Sequence, residues 1–250
     1  MALTCYPVPG KEKSKVICHA FVAGAPKHAT GAVFFGTEGV MQHFQRAKSG
    51  TWWYVDNSYT DAHRGQYFRV TKNALQIDPR GKTSTGERFA QQRIVVMPEQ
   101  ATDPHGLVLV IPQSDDFMKS TLGRKGDWTS ETVAKLKSFG VPAHEIRVRP
   151  WLRDKKKAYV ELHEELVSAR LVVTWSSASA ITALLRGFPA ISESGAARWL
   201  TGPLDTLNVL EPSLPSLVDR ATFACVLADN QFTLDEFRDG TAWRWLERTA

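Results

Sequence analysis

The chain has 250 residues and a formal net charge of +5, with 43% hydrophobic and 23% charged residues. This composition is that of an ordinary folded globular protein, and the length accommodates one large domain or two small ones. It excludes a membrane span, which needs an apolar run of ~20 residues. The polar N-terminus lacks the apolar segment of a secretory signal, and three widely spaced cysteines without a CxxC pair argue against a zinc site or a disulfide framework. We therefore expect a cytoplasmic protein.

The first half of the chain predicts short strands separated by loops and one helix. Apolar, aromatic and β-branched residues predict strands at residues 15–23, 31–35, 51–56, 66–70 and 93–97. A helix is expected at residues 36–48, where apolar side chains recur at helical spacing. Residues 77–91 are rich in Gly, Ser, Thr and Arg and predict a basic loop that could act as a lid over a substrate.

The second half alternates strands with helices more regularly. Strands are predicted at residues 107–111, 146–149 and 171–174, and helices at residues 129–139, 159–169, 180–186, 214–228 and 234–246. Such alternation is typical of βαβ units and a parallel sheet. We therefore predict an α/β fold of two Rossmann-like halves, residues 1–103 and 104–250, with a cleft between them and C-terminal helices that pack back across both.

Polar loops follow three consecutive strands of the second half, where the carboxyl ends of parallel strands share one edge and bind ligands. Arginine grips phosphate with two donors, and a serine turn at the start of a helix aims hydroxyls and backbone N–H groups at an anion. We expect these loops to bind the phosphates of a nucleotide or a nucleotide sugar. An ordinary βα turn with a solvated Arg149 is the alternative. The predicted contacts are Gln113, Ser114, Arg149, Trp151, Ser176, Ser177 and Ser179.

The first half offers candidates for a general base. Asp56 ends a predicted strand and His63 follows in the next loop, a position where a base would face a cleft. His19 lies in a predicted strand and is a further candidate. An Asp-Asn turn with a surface histidine, and a core position for His19, are the alternatives. The side chains expected to contact an acceptor are Trp52, Asn57, Tyr59, Arg64, Arg80, Lys82 and Arg88.

Several familiar signatures are missing. The chain has no GxxxxGK[ST], no GxGxxG after a strand and no HExxH, which argues against a P-loop enzyme, a Rossmann dehydrogenase and a zinc hydrolase. The Asp115-Asp116 pair is too short a match to predict a metal site. We therefore predict neither a metal nor a resident cofactor.

Three segments of the second half resemble the C-terminal portion of GT-B-type glycosyltransferases, nearest to those that make capsule polysaccharides and transfer glycerophosphate. They are RVRPW at 147–151, VVTWSSASAITALLRGFPAI at 172–191 and ADNQFTLDEFRDGTAWRWL at 228–246. The YVDNSY and YFRVT segments of the first half are similar to small phage-type proteins of this kind. The resemblance implies that the second half binds the sugar nucleotide and the first half the acceptor, without an obligatory metal.

Carried over by position, the resemblance assigns Arg149 and the three serines to the donor phosphate and Glu193 to the donor sugar or ribose. Trp151 stands where such enzymes usually have a histidine after the Arg-Pro pair. The implied function is transfer of a sugar from a nucleotide sugar to a hydroxyl. The mildly basic charge favours a polyanionic acceptor. The resemblance of the first half to phage-type proteins implies a hydroxymethylated base of phage DNA as that acceptor, and a protein in the cytoplasm of the host cell. A non-catalytic nucleotide- or nucleic-acid-binding protein, and the same chemistry on a surface glycan, are the alternatives.

Overall fold

A computed structural model describes residues 3–36, 50–60, 65–113, 117–118, 127–150 and 161–248. These residues form a mixed α/β protein with two separate β-sheets. The described residues of Met1–Ile77 and Leu227–Ala250 form a first compact unit, and those of Asp78–Met118 and Arg124–Val226 form a second. Among the described residues, no helix has the length and apolar character needed to cross a membrane.

The strands of the described residues are β1 (Leu3–Tyr6), β2 (Gly31–Phe35), β3 (Trp52–Asn57), β4 (Tyr67–Lys72), β5 (Leu107–Ile111), β6 (Ile146–Val148), β7 (Ala169–Thr174), β8 (Ala190–Ser192) and β9 (Gln231–Thr233). The helices are α1 (Glu12–Ala23), α2 (Glu87–Gln92), α3 (Trp128–Ser138), α4 (Leu162–Leu166), α5 (Ala178–Leu185), α6 (Arg198–Thr201), α7 (Thr206–Leu210), α8 (Leu217–Ala228), α9 (Leu234–Arg238) and α10 (Thr241–Arg248). A 3₁₀ turn at Ala143–Glu145 precedes β6.

The first sheet has the strand order β1-β2-β3-β4-β9, parallel from β1 to β3 and antiparallel beyond. Alternate side chains point to opposite faces of a strand. Trp53 and Val55 of β3 therefore join the core under α1, α9 and α10, and Trp52 and Tyr54 join a smaller aromatic cluster. Stacking of Phe21 on Trp243 (ring centroids 4.6 Å apart) ties α1 to α10 within this unit.

The second sheet has the order β6-β5-β7-β8, and all its strands are parallel. Its central strands, β5 and β7, are almost entirely buried, as expected for parallel strands covered on both faces. Val110 and Val173 pack with Leu136 of α3 in the core of this unit. The chain passes from β5 to β6 on one side and then crosses to β7 on the other, which places a topological switch point between β5 and β7.

Most strands expected from the sequence are confirmed. Residues 31–35 form β2 as predicted, and β3, β4, β5, β6 and β7 lie within two residues of their predicted bounds. Helix α5 and helix α8 are also present near their predicted positions. The helix expected at residues 36–48 falls almost wholly outside the described residues.

Residues 15–23 are helical, so the predicted strand is wrong. The run VICHAF has strand-like composition, but its buried residues Ser14, Ile17, Cys18 and Phe21 recur at helical spacing on α1. The strand predicted at residues 93–97 is also absent, because Arg93 adopts a left-handed conformation (φ 52°) and Val95 is 71% exposed.

The C-terminal segment differs from its prediction in three ways. Residues 234–246 form two helices, α9 and α10, because Gly240 breaks the helix at φ +78°. The strand β9 was missed, and it pairs antiparallel with β4. This segment therefore belongs to the first unit, whereas the sequence grouped it with residues 104–250. The GT-B arrangement of two halves about a cleft stays a prediction.

Candidate functional site

The carboxyl ends of β5 and β7 meet at the switch point of the second sheet. Ligands of open α/β sheets bind in the crevice that opens at such a point. Gln113 follows β5 and Ser176 follows β7, and the Ser176 hydroxyl donates a long hydrogen bond (3.4 Å) to Oε1 of Gln113. The structure thus brings together two of the predicted donor-binding residues from different strands.

The serine turn between β7 and α5 is ordered by its own hydroxyl groups. Thr174 Oγ1 accepts a hydrogen bond from the backbone N–H of Ser177 at 3.1 Å. Ser177 is the N-cap of α5, and its hydroxyl accepts from the N–H of Ser179 at 3.1 Å and lies 3.0 Å from the Ser179 hydroxyl. Because the start of a helix carries a partial positive charge, these half-buried hydroxyls lie where an anion is stabilised.

The loop after β8 packs against this turn. Gly195 has φ +79°, and a Cβ atom added there would lie 3.1 Å from Cβ of Ser176, so only glycine fits without displacing the turn. The N–H of Ser194 donates to the carbonyl of Trp175 at 2.6 Å. Glu193, the predicted sugar contact, instead accepts a hydrogen bond from the N–H of Leu204 at 3.2 Å. The predicted contact to the donor sugar remains untested.

Arg149 lies at the carboxyl end of β6 and is 7% exposed. Its Nε forms an ion pair with Oε2 of Glu165 on α4, while Nη2 of Arg147 lies 3.2 Å from Oε1 of the same carboxylate. Two arginines therefore contact one buried carboxylate, and Glu165 occupies Nε of Arg149.

Asp56 ends β3 in the first unit, and both of its carboxylate oxygens are engaged. Oδ2 accepts from the hydroxyl of Tyr54 at 2.9 Å and from Nη2 of Arg69 at 2.8 Å. Oδ1 accepts from the backbone N–H of Asn57 at 2.8 Å. These bonds use the lone pairs that a general base would offer to a substrate hydroxyl.

Arg69 lies between two buried tyrosine rings, 4.8 Å from the centroid of Tyr59 and 5.8 Å from that of Tyr54. Its Nη1 donates to Oε1 of Gln76 at 2.6 Å. Burial raises the pKa of Tyr54 well above its ordinary value and also raises the pKa of Tyr59. Both phenols are therefore held as neutral hydrogen-bonding groups at neutral pH.

Three of the predicted acceptor contacts are buried. Trp52 packs with Phe34 in the aromatic cluster of the first sheet, and Tyr59 is fully buried. Arg88 on α2 is 2% exposed. These side chains form part of the interior, and their role in acceptor binding stays a prediction.

The remaining described acceptor candidates are at the surface. Asn57 accepts a hydrogen bond from Nζ of Lys13 at 3.3 Å. Arg80 stacks on Trp199, with its guanidinium carbon 3.4 Å from the ring centroid, and its Nη2 lies 2.6 Å from the Asp78 carboxylate. Lys82 is exposed. Their role in acceptor binding stays a prediction.

His19 lies on helix α1 and is exposed, so the predicted strand is wrong and the alternative of a core position is wrong as well. Its role as a general base stays a prediction. Four predicted site residues lie outside the described residues: His63, Arg64, Ser114 and Trp151. The Asp115-Asp116 pair lies outside them as well. In the described ranges, no group of three or more His, Cys, Asp or Glu residues is placed to hold a metal.

Sequence reasoning missed three residues that shape these regions. Arg69 alternates with buried Phe68 and Val70 in β4, and a charged residue inside such a strand signals a buried partner. Glu165 had no local signal, because its two arginines come from another element. Gly195 lies in the loop after β8, three residues beyond its end, and a glycine in such a loop indicates a position that can adopt a positive φ.

The described residues define a mixed α/β protein with a Rossmann-like parallel sheet. No protein-family model matches the chain, and no curated protein sequence matches it. The chain is similar in structure to KpsC of Thermosulfurimonas dismutans, a β-Kdo 2,7-transferase, with a TM-score of 0.46 and 14% sequence identity over 94% of this chain and 90% of that one.

Proposed function

We propose that the protein is a glycosyltransferase that binds a sugar nucleotide at the carboxyl edge of its second sheet. The observation that carries the proposal is the contact between Gln113 and Ser176 across the switch point, beside the N-terminus of α5. The sequence resemblance to GT-B-type glycosyltransferases supports the choice of a sugar nucleotide over other phosphates.

The proposed chemistry is group transfer from phosphate to a hydroxyl. The bond between the anomeric carbon and the leaving phosphate oxygen breaks, and the acceptor oxygen bonds to that carbon as its proton passes to a base. Negative charge then grows on the leaving phosphate. The serine hydroxyls, the start of α5 and the guanidinium of Arg149 would stabilise that charge, and such electrostatic stabilisation is usually the largest contribution to catalysis.

We propose Asp56 or His63 as the base and a polyanion as the acceptor. The occupied lone pairs of Asp56 make it the weaker candidate of the two. The net charge of +5 and the exposed Lys82 support a polyanion, with a hydroxymethylated DNA base as the first acceptor to test. A base within a duplex would have to be flipped out to reach any active site.

A thermal-shift screen with a panel of nucleoside mono- and diphosphate sugars tests the donor site. Specific binding stabilises the folded protein by mass action, and at a ligand concentration of 100 times Kd the gain in unfolding free energy is about 2.7 kcal/mol. The unfolding temperature rises as a result. We expect one class of sugar nucleotide to give such a shift and Ser177→Ala to remove most of it. A flat response over the whole panel would contradict the proposal.

Ser216→Ala is the matched control for Ser177→Ala. Ser216 also accepts a hydrogen bond at the start of a helix in the second unit, from the N–H of Asp219 at 3.1 Å. Both substitutions should cost about 1 kcal/mol of stability through a lost cap. Only Ser177→Ala should weaken binding of the sugar nucleotide, and equal weakening in the two variants would point to stability alone.

A non-catalytic nucleotide-binding protein is the second candidate. The observation in its favour is the engagement of Asp56, which leaves no free carboxylate base at the end of β3. Release of nucleotide from the sugar nucleotide that binds, measured with and without candidate acceptors, separates the two. Binding without any release supports the second candidate, and acceptor-dependent release supports the transferase.

A further inference from the structure

An exposed tryptophan lies close in the chain to the loop that packs on the serine turn. Trp199 of α6 is 46% exposed, and among the described residues it is the one aromatic ring in the set of exposed large hydrophobic side chains. The N–H of Arg198 donates to the carbonyl of Gly195 at 3.3 Å, and the N–H of Ser192 donates to Oγ1 of Thr201 at 3.1 Å. These two hydrogen bonds hold α6 at the carboxyl end of β8, on the edge of the second sheet that carries the serine turn.

The guanidinium of Arg80 covers one face of this tryptophan. Its central carbon, Cζ, lies 3.4 Å from the centroid of the Trp199 ring. The two planes must therefore lie nearly parallel, because an edge-on guanidinium at this distance would push a nitrogen into the ring. Nε of Arg80 donates to Oδ1 of Asp78 at 3.0 Å, and Nη2 donates to Oδ2 at 2.6 Å. The indole from behind and the carboxylate along one edge thus fix the guanidinium plane.

Arg80 keeps an open face and an unused donor. Its side chain is 61% exposed, and because Trp199 covers one face of the guanidinium, that exposure includes the opposite face. The hydrogen bonds that Arg80 makes to described residues all use its backbone N–H, Nε or Nη2, which leaves Nη1 to a ligand. Lys82 of the same turn is also exposed, and its N–H donates to the carbonyl of Pro79 at 3.3 Å. Guanidinium planes and aromatic rings beside basic side chains are the surfaces on which nucleobases stack.

We propose that Arg80, supported by Trp199, is a stacking site for a nucleobase, with Lys82 beside it for the phosphate. The base lies on the open face of the guanidinium. The N–H groups of Nη1 point along the guanidinium plane, so they donate to a phosphate oxygen beside the base. A free arginine loses rotamer freedom when it binds, whereas Asp78 and Trp199 already hold this one, so binding costs less entropy.

The nucleobase has two sources, and the chemistry that recognises it is the same for both. One source is the sugar nucleotide that the serine turn is proposed to bind, since Trp199 and that turn lie on one edge of the second sheet. The other source is a single-stranded nucleic acid, whose bases are free to stack. The inference does not rest on the proposed transfer reaction, because either ligand can bind here without being converted.

Paired probes with and without bases test the proposal on the intact protein. In one arm, a labelled short single strand of DNA is compared with an abasic strand of the same length, and fluorescence anisotropy gives Kd. In the other arm, AMP, CMP, GMP and UMP are compared with ribose 5-phosphate by titration calorimetry. We expect a probe with bases to bind about tenfold more tightly than its baseless control in at least one arm, because stacking adds to the attraction of the phosphate.

Matched variants separate stacking from charge. Arg80→Lys keeps the positive charge but removes the plane, so it should abolish the preference for the probe with bases. Trp199→Ala removes the support and should act in the same direction, while Trp199→Phe keeps a ring and should retain part of the preference. Lys82→Ala removes only a charge and should weaken both probes of a pair alike. The three side chains are exposed, and unfolding temperatures check that the variants stay folded.

Each outcome bears on the proposal. A preference confined to the mononucleotides supports the site and assigns it to the sugar nucleotide, and one confined to the DNA strand supports it and assigns it to a nucleic acid. No preference for bases in either arm, or a full preference retained by Arg80→Lys, would overturn it. Absence of sugar transfer with the base preference intact would count against the proposed function alone.

Discussion

The two sheets of this protein differ in the ion pairs that lie near the carboxyl ends of their strands. In the first sheet, Asp56 is matched by one arginine, Arg69, so the pair is neutral, although Nε of Arg69 is buried without a hydrogen-bond partner. In the second sheet, the carboxylate of Glu165 contacts both Arg147 and Arg149. The comparison shows that a carboxylate can pair with a single arginine, as in the first sheet, or bring two arginines together at a strand end, as in the second.

The order of the strands also differs between the two sheets. The parallel strands β1, β2 and β3 follow one another in chain order, so the described part of the first sheet has no switch point among them. The second sheet reverses direction between β5 and β7, and the serine turn and Gln113 lie at that reversal. The pair of arginines around Glu165 and the switch point thus lie in the same unit.

Replacing Glu165 by glutamine should give the largest effect. The change removes the carboxylate that Arg147 and the buried Arg149 both contact, and loss of one partner from a buried ion pair costs about 3–5 kcal/mol. Urea denaturation measures this loss of unfolding free energy. Glu164→Gln, on the exposed side of the same helix, should change stability by less than about 0.5 kcal/mol. Similar losses in the two variants would refute the arginine-sharing role of Glu165.

Asp56→Asn tests the self-contained cluster of the first sheet. Because the side chains of Arg69 and Asp56 are 11% and 23% exposed, solvent screens part of the loss, and we expect a cost of about 2 kcal/mol. The exposed pair of Asp78 and Arg80 provides the control, and Asp78→Asn should cost well under about 1 kcal/mol. If Asp56→Asn cost nothing in stability but abolished sugar transfer, Asp56 would be a catalytic base rather than the partner of Arg69.

Gly195→Ala should disturb the switch point specifically. The left-handed conformation costs a non-glycine residue about 1–2 kcal/mol, and the new Cβ atom would also press on Ser176. Gly140→Ala has the same conformational cost at φ +94° with open space around it. We therefore expect similar stability losses in urea but weaker sugar-nucleotide binding only in Gly195→Ala. Unchanged binding in both would remove Gly195 from the site.

The smallest effect is expected from Tyr54→Phe and concerns alkaline pH. The pKa of Tyr54 is raised in the folded protein, so above about pH 10 the unfolded chain releases this proton while the folded chain keeps it. Below that pH both states hold the proton and the group adds no pH dependence. Wild-type stability should therefore fall as pH rises above about 10, and Tyr54→Phe should lessen the slope. Unfolding free energies of the two proteins between pH 8 and 11 measure the difference in slope. Identical slopes would contradict the raised pKa of Tyr54.

Local patterns were sufficient for much of the fold and for part of the candidate site. The apolar runs of β5 and β7 predicted buried parallel strands, because a strand covered on both faces needs apolar side chains throughout. Ser177 was predictable as a helix start, since a cap acts within a few residues of chain. The prediction of a strand at residues 15–23 was wrong because the segment contains the β-branched and aromatic residues typical of strands. Its buried side chains nevertheless recur at the spacing of a helix.

The sequence by itself determined the alternation of strands and helices in the second unit and the serine turn, because both depend on side chains a few positions apart. Only the tertiary structure decided that β9 pairs with β4, that Glu165 contacts Arg147 and Arg149, and that Asp56 pairs with Arg69. These contacts join residues from separate elements. Their energies depend on burial and on the partner that packing supplies, and neither is encoded in the neighbouring residues.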